Sequence, residues 1–320
     1  MAQKTSKKYF FLLARGAGMG AADVIPGVSG GTIAFITGIY QELIHSIKSI
    51  NKDFFIILFK QGIANAWQHI NGNFLLAVFS GILLSIFSLA RIISWLLEVY
   101  PKLVWAFFFG LIIASALHVG KKIDRWSTGP IISLILGAAI AAFITIATPA
   151  TTPESWWFIF LSGSIAICAM ILPGISGSFI LLLLGKYEYM LNVIKNFDIA
   201  TILIFAMGCV VGIISFSNLI SWLFKRIPNT TMALLTGFML GSLNKLWPWK
   251  EVIRYQMNSA GEQVPLLEKS ISPVTYQDIY MQDPMILQVL VCVITGFMLI
   301  FIFDLISARK ARIEKTISKT

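Results

Sequence analysis

The string Pro-Gly-x-Ser-Gly occurs twice, as Pro26-Gly27-Val28-Ser29-Gly30 and as Pro173-Gly174-Ile175-Ser176-Gly177. Each copy opens an apolar run that ends in glycine, at Gly38 and Gly185. Proline and glycine interrupt a helix, so Pro26 and Pro173 mark helix breaks. A serine placed just after the break, Ser29 or Ser176, is suited to cap the helix that follows. Residues 30–49 and 177–196 are then expected as helices that begin inside the protein. Such an N-terminus offers unpaired backbone N–H groups and a partial positive charge, and both favour an anion. The candidate phosphate-binding set is Gly27, Ser29, Gly30, Gly31, Thr32, Gly174, Ser176, Gly177 and Ser178, with glycines for close backbone approach and hydroxyls as further donors. The competing reading is a plain helix break or a packing seam of small residues. Two copies favour the binding reading.

Charges inside apolar segments are costly and usually functional. Arg15 stands just before Gly16-Ala17-Gly18-Met19-Gly20, on the approach to the first break. A guanidinium there can hold a phosphate in bidentate fashion; the alternative is an anchor that reaches back to the interface near Lys8. Asp23 precedes Pro26 by three residues and is the candidate for a coupling proton or sodium ion, or for balancing Arg15 when no substrate is bound. On a continuous helix the two would lie about 12 Å apart along the axis, so direct pairing requires the glycines to bend the chain. Arg91 falls in the outer part of an apolar span, where a substrate role and an interfacial anchor are equally open. Glu42, Lys186 and Glu188 follow the two motifs, either at cavity mouths or in solvated loops.

These residues must be positioned by membrane-embedded elements. Of 320 residues, 57% are hydrophobic and 12% charged, about half the charged fraction of a soluble domain. Residues 74–97, 103–119, 131–148, 199–224, 232–246 and 286–306 form apolar stretches that approach or exceed the length needed to cross a bilayer. The chain therefore reads as an all-α polytopic membrane protein. The net charge of +10 fits loops rich in Lys and Arg better than a nucleic-acid surface. The apolar start, residues 9–14, is too short for a secretory core before Arg15, and is read as retained. Cys168, Cys209 and Cys292 lie in apolar stretches and suggest no disulfide framework and no metal cluster. No catalytic motif stands out around the three histidines, so no enzyme and no bound cofactor is expected.

The two motifs belong to a longer repeat. Pro26, Gly27, Ser29, Gly30, Ile33, Gly38, Tyr40, Ile47 and Lys48 each meet an identical residue 147 positions later. Trp95, Pro101, Gly110 and Ser115 meet Trp222, Pro228, Gly237 and Ser242 at an offset of 127. The 20-residue difference places an insertion in the first copy, where residues 53–70 have the apolar spacing of a helix lying in the interface. The halves run over 1–150 and 151–320, the second with an external loop over 245–284. Trp247 and Trp249 in that loop are expected to mark the outer interface.

With each motif forming a re-entrant hairpin and each half adding three spans, sixteen Lys and Arg fall on the side of the N- and C-termini and seven on the other. That asymmetry places both termini in the cytoplasm. An odd number of spans turns the second half over, giving the inverted-topology repeat of many secondary transporters. Hairpins that cross fully give the same inversion and the same loop sides. Two such tips would meet near the midplane, with Ser29 and Ser176 facing each other across one anionic group.

The stretch from Arg15 to Tyr40, together with Leu172–Tyr187, closely resembles the two signature stretches of the bacterial polyprenyl-phosphate transporter family. The resemblance covers essentially the whole chain. It implies a translocase of the cytoplasmic membrane that returns undecaprenyl phosphate from the outer to the inner leaflet, recycling the carrier lipid of cell-wall synthesis. Arg15, Asp23, Pro26, Gly27, Ser29, Gly30, Gly31 and Thr32 match the family pattern, as do Pro173, Gly174, Ser176, Gly177 and Ser178. Arg91 is carried on physical grounds alone. The partners implied are a polyprenyl phosphate and membrane lipids, with a homodimer open. A transporter or channel for a small soluble anion, or a membrane enzyme acting on a lipid phosphate, would use similar helix-tip chemistry.

Overall fold

The computed structural model describes the backbone of residues 2–25, 28–257 and 263–317, and their side chains apart from 2–7, 256–257, 264, 266 and 303–317. Pro26 and Gly27, both expected at the first break, lie outside the described residues.

The first half opens with a long helix, α1 (Ala2–Asp23), followed by the short α2 (Gly30–Ile36) and α3 (Tyr40–Lys48). Two further helices, α4 (Lys52–Gln61) and α5 (Ile63–His69), lead into α6 (Gly72–Ser88) and α7 (Ala90–Val99). The half closes with α8 (Pro101–Gly120) and α9 (Thr128–Ile146). The second half repeats the order with α10 (Trp156–Ile171), α11 (Gly177–Leu183), α12 (Tyr187–Lys195), α13 (Ile199–Arg226) and α14 (Pro228–Ser242). After a short 3-10 turn come strands β1 (Lys250–Met257) and β2 (Gln263–Ser270), then α15 (Pro273–Tyr280) and α16 (Ile286–Ile317).

Local chemistry sets many of these boundaries. Pro101 and Pro228 occupy the first turns of α8 and α14, where a missing N–H costs nothing. Asn51 and Asp198 cap α4 and α13 by accepting from Phe54 N and Thr201 N. Among the described residues, α8, α9 and α13 are each long and apolar enough to cross a bilayer. Large apolar side chains such as Phe87, Phe143 and Leu203 point outward from the bundle, as a lipid solvent requires.

Several expectations need correction. The helices expected over 30–49 and 177–196 are each two helices, because Gly38 (φ +76°) and Gly185 (φ +62°) adopt a left-handed conformation that ends the first piece. In the second copy α11 and α12 are bent by 105°. The interfacial segment is likewise two helices, parted at Gly62 (φ +88°), and Phe55, Phe59 and Ile63 on it are exposed. The span expected over 74–97 breaks at Leu89. There the Ser88 hydroxyl donates back to the Leu84 carbonyl, a bond that bends helices; its counterpart α13 is continuous.

The segment expected as an external loop holds two strands and a helix, in a chain that is otherwise helical, as expected of an all-α membrane protein. β1 and β2 form an antiparallel hairpin, paired from Lys250↔Ser270 to Met257↔Gln263. Trp247 is half-buried and Trp249 buried. Their indoles donate to the Ile271 and Pro284 carbonyls at 2.8 and 2.9 Å, and Trp247 meets the ring of Phe109. They fasten the hairpin lobe to α8.

The helices pack in four close pairs built on glycine. In α1 and α6, Gly16 lies against the Val78 carbonyl and Gly81 against that of Leu13. In α10 and α13, Gly163 lies against the Phe205 carbonyl and Gly208 against that of Phe160. These are the same contacts transferred by the sequence offsets. The other two pairs cross between halves. Gly110 of α8 meets Val293 of α16, and Gly296 returns the contact to Phe107. Gly237 of α14 meets Leu134 of α9, and Gly137 returns it to Leu234. Each half thus packs its eighth-type span against the final helix of the other half. Small residues allow this approach where helices share an apolar solvent.

Candidate functional site

The two Pro-Gly-x-Ser-Gly breaks meet. Ser29 caps α2, its Oγ accepting from Gly31 N at 3.0 Å. The same hydroxyl donates to the Met170 carbonyl of α10 at 2.8 Å, satisfying one of the carbonyls left open at a helix C-terminus. Three residues on, Thr32 Oγ1 accepts from Gly174 N at 2.9 Å. Ser29 and Thr32 are fully buried. Gly31 is indispensable to this fit: a Cβ there would stand 2.6 Å from the Ile171 carbonyl oxygen.

The first tip is occupied by the chain itself. Gly30 N donates to Asp23 Oδ1 at 2.6 Å, Gly31 N to Ser29 Oγ, and Thr32 N to the Ser29 carbonyl at 2.9 Å. The amides expected to face an anion are therefore engaged, one of them by a carboxylate. Thr32 Oγ1 acts as an acceptor across the junction.

The second tip differs. Ser176 makes no capping bond to α11; its Oγ lies 2.8 Å from Ser178 Oγ. The expected opposition of Ser29 and Ser176 is replaced by an offset crossing in which Ser29 reaches Met170 and Thr32 reaches Gly174. Gly177 packs against the Ala166 carbonyl, Gly174 (φ +89°) lies against that of Phe238, and Pro173 is buried. Next to Ser178, the ring of Phe179 lies 5.0 Å from Lys245 Nζ, so α11 touches the hairpin lobe.

Arg15 lies on the unbroken α1. Asp23 is two helical turns further along, and the two do not pair. Gly16 and Gly20 pack against α6 instead of bending the chain. The carboxylate acting on the Arg15 guanidinium is that of Glu42, which also accepts from Asn71 Nδ2 at 2.9 Å. Arg15 lines a cavity of about 280 Å³ with Ile33 and Ile36 of α2 and with its C-cap Thr37, which sets it toward the far end of α2 from the Gly30 tip that Asp23 holds. Arg91 is exposed on α7 and makes none of these contacts.

Sequence reasoning undervalued Lys186. It is buried, with Nζ donating to the Thr152 carbonyl at 2.9 Å and the ring of Tyr189 5.2 Å away. The available signal was its repeat counterpart Ile39, an apolar residue 2% exposed. The hairpin lobe carries a second missed cluster. Glu268 Oε2 lies 2.9 Å from Lys245 Nζ and 3.4 Å from Lys250 Nζ, and Lys250 sits over the Trp105 ring at 4.0 Å. Burial draws the Lys250 ammonium down to about 8. Burial pushes the Glu268 carboxyl up, but the two lysines outweigh it and hold it below its ordinary value.

The family described as VCA0040-like, undecaprenyl phosphate translocase-like, matches residues 19–264. The chain belongs to this family. The matched range holds both breaks and their junction. The polyprenyl-phosphate transporter of Vibrio cholerae serotype O1 is 47% identical over 300 residues, covering 94% of this chain and 97% of that one. The polyprenyl-phosphate transporter of Staphylococcus aureus is 33% identical over 252 residues, covering 73% and 84%. No solved structure matches. Membership in the undecaprenyl phosphate translocase-like family agrees with a multi-pass helical bundle whose interior holds paired helix breaks.

Proposed function

We propose that the chain is a translocase that returns undecaprenyl phosphate from the outer to the inner leaflet of the bacterial cytoplasmic membrane, for reuse in cell-envelope synthesis. The observation that carries this reading is the junction of the two breaks, Thr32 to Gly174 and Ser29 to Met170, with Arg15 two helical turns from the first break on an apolar cavity. Irregular backbone at membrane depth is tolerated where it is buried in protein or lines a path. A phosphate monoester suits an arginine and helix-tip amides. The names of the Vibrio and Staphylococcus relatives point to the same substrate class.

Helix directions support the inverted repeat. Gly237 and Gly241 of α14 face the Leu134 and Ala138 carbonyls of α9, so α9 and α14 run the same way. α9 follows α8 after a short link, so those two run oppositely across the bilayer. The repeat counterparts α8 and α14 then point in opposite directions. Re-entrant hairpins at both breaks and cytoplasmic termini complete the arrangement.

In the working cycle the headgroup crosses between the breaks by alternating access. Asp23 holds the Gly30 amide in place of a phosphate oxygen. Protonation of Asp23, or its capture by sodium, weakens its charge-assisted hold on that amide so that a phosphate oxygen can displace it, and couples transport to an ion gradient. Proteoliposomes containing the protein should move undecaprenyl phosphate between leaflets, and Arg15→Ala should largely abolish the movement while Arg15→Lys retains part of it. Equal rates in Arg15→Ala and wild type would remove the arginine from the mechanism.

A further inference from the structure

We infer that the polyprenyl tail is bound by the protein itself, along one face of α8 in two apolar cavities on either side of the first break. This inference rests on the proposed transport of a polyprenyl phosphate. The first cavity, about 280 Å³, lies between α1, α2, α8 and α16, with Arg15 as its one charged lining residue. The hydroxyl of Thr37, its other polar side chain, is already donated to the Ile33 carbonyl at 2.7 Å. The second cavity, about 330 Å³, is walled by α7 and α8 and by Ile25, with Tyr100 as the polar residue at its wall. Both cavities are lined by Phe107 and Phe108.

The arrangement selects a ligand that is apolar over most of its length and anionic at one end. A small soluble anion would leave the apolar walls unused, and a neutral lipid would bring no negative charge to the one charged wall residue, Arg15. The first cavity reaches the approach to the break at Ala21 and Ala22, the second at Ile25. A headgroup that passes the break therefore has an apolar wall for its tail on both sides. Phe107 and Phe108 form the threshold that the isoprene units nearest the phosphate cross.

Photo-crosslinking in proteoliposomes tests the assignment. Benzoylphenylalanine is placed at Phe108, and at the outward-facing Phe143 and Leu203 as controls, and radiolabelled undecaprenyl phosphate is the probe. Labelling should occur at 108, not at 143 or 203, and unlabelled undecaprenyl phosphate should compete while phosphatidylglycerol does not. Equal labelling at all three sites, or equal competition by phosphatidylglycerol, overturns the inference, since ordinary acyl chains would then fill the cavities. Ala21→Trp, which fills the first cavity, should weaken the apparent affinity for undecaprenyl phosphate roughly tenfold, the loss expected from about two buried CH₂ groups; an unchanged affinity also overturns it. Wild-type protein that moves no undecaprenyl phosphate at all would instead defeat the proposed function.

Discussion

Thr32 and Gly174, 142 residues apart in the chain, are joined by a hydrogen bond of 2.9 Å from the Gly174 amide to the Thr32 hydroxyl. The bond is buried and links the two signature breaks directly. Thr32→Val keeps the shape and removes the acceptor, leaving the Gly174 amide without its partner. A loss of about 1–3 kcal/mol is expected for a buried unsatisfied group. Thermal unfolding in detergent should show a lowered midpoint for Thr32→Val and a near-normal one for Thr32→Ser. Identical midpoints for Thr32→Val and wild type would mean that the junction is held by packing alone.

Asp23 accepts from Gly30 N at 2.6 Å, and Asn offers the same carbonyl oxygen without a titratable charge. Asp23→Asn should therefore fold normally but lose gradient-driven accumulation, leaving only equilibration of undecaprenyl phosphate between leaflets. Transport measured with and without imposed proton and sodium gradients separates the outcomes. Full gradient dependence in the variant would place coupling elsewhere.

Lys250 is the clearest pH-sensitive group outside the spans, drawn down to about 8 by burial against the pull of Glu268. An unfolded lysine holds its proton to about 10.4. Between these values the unfolded chain binds the extra proton, so this group's contribution to stability rises with pH across that window. Glu268→Gln removes the carboxylate that favours the charged lysine and should move its titration further down. NMR of reductively methylated lysines reads both. A Lys250 titration that does not move in Glu268→Gln would contradict the clamp geometry.

Much of the fold was legible because membrane spans announce themselves through length and apolarity, as α8, α9 and α13 do. The repeat was legible because Trp, Pro, Gly and Ser in register are improbable between unrelated helices. Its glycines proved to be contact points: Gly110 and Gly237 both press on carbonyls of a partner helix. The break at Leu89 was hidden because the apolar run continues through it without proline or glycine. The β-hairpin was hidden because a polar stretch between spans reads as a loop until Trp247 and Trp249 are seen to anchor it. At the site, residue types were legible and partners were not. Nothing in the spacing says that Asp23 turns to Gly30 while Arg15 lies within the field of Glu42, since both depend on α1 remaining straight and on how α2 and α3 fold back after it.

The exchange of final helices between halves also fixes the timing of biogenesis. Gly110 on α8 finds its mate at Val293, about 180 residues later. At about 5–20 residues per second that interval is ~10–40 s of synthesis. Throughout it, the close-packing face of α8 is already made while α16 has yet to leave the ribosome. The close packing of α8 is thus completed only when α16 reaches it.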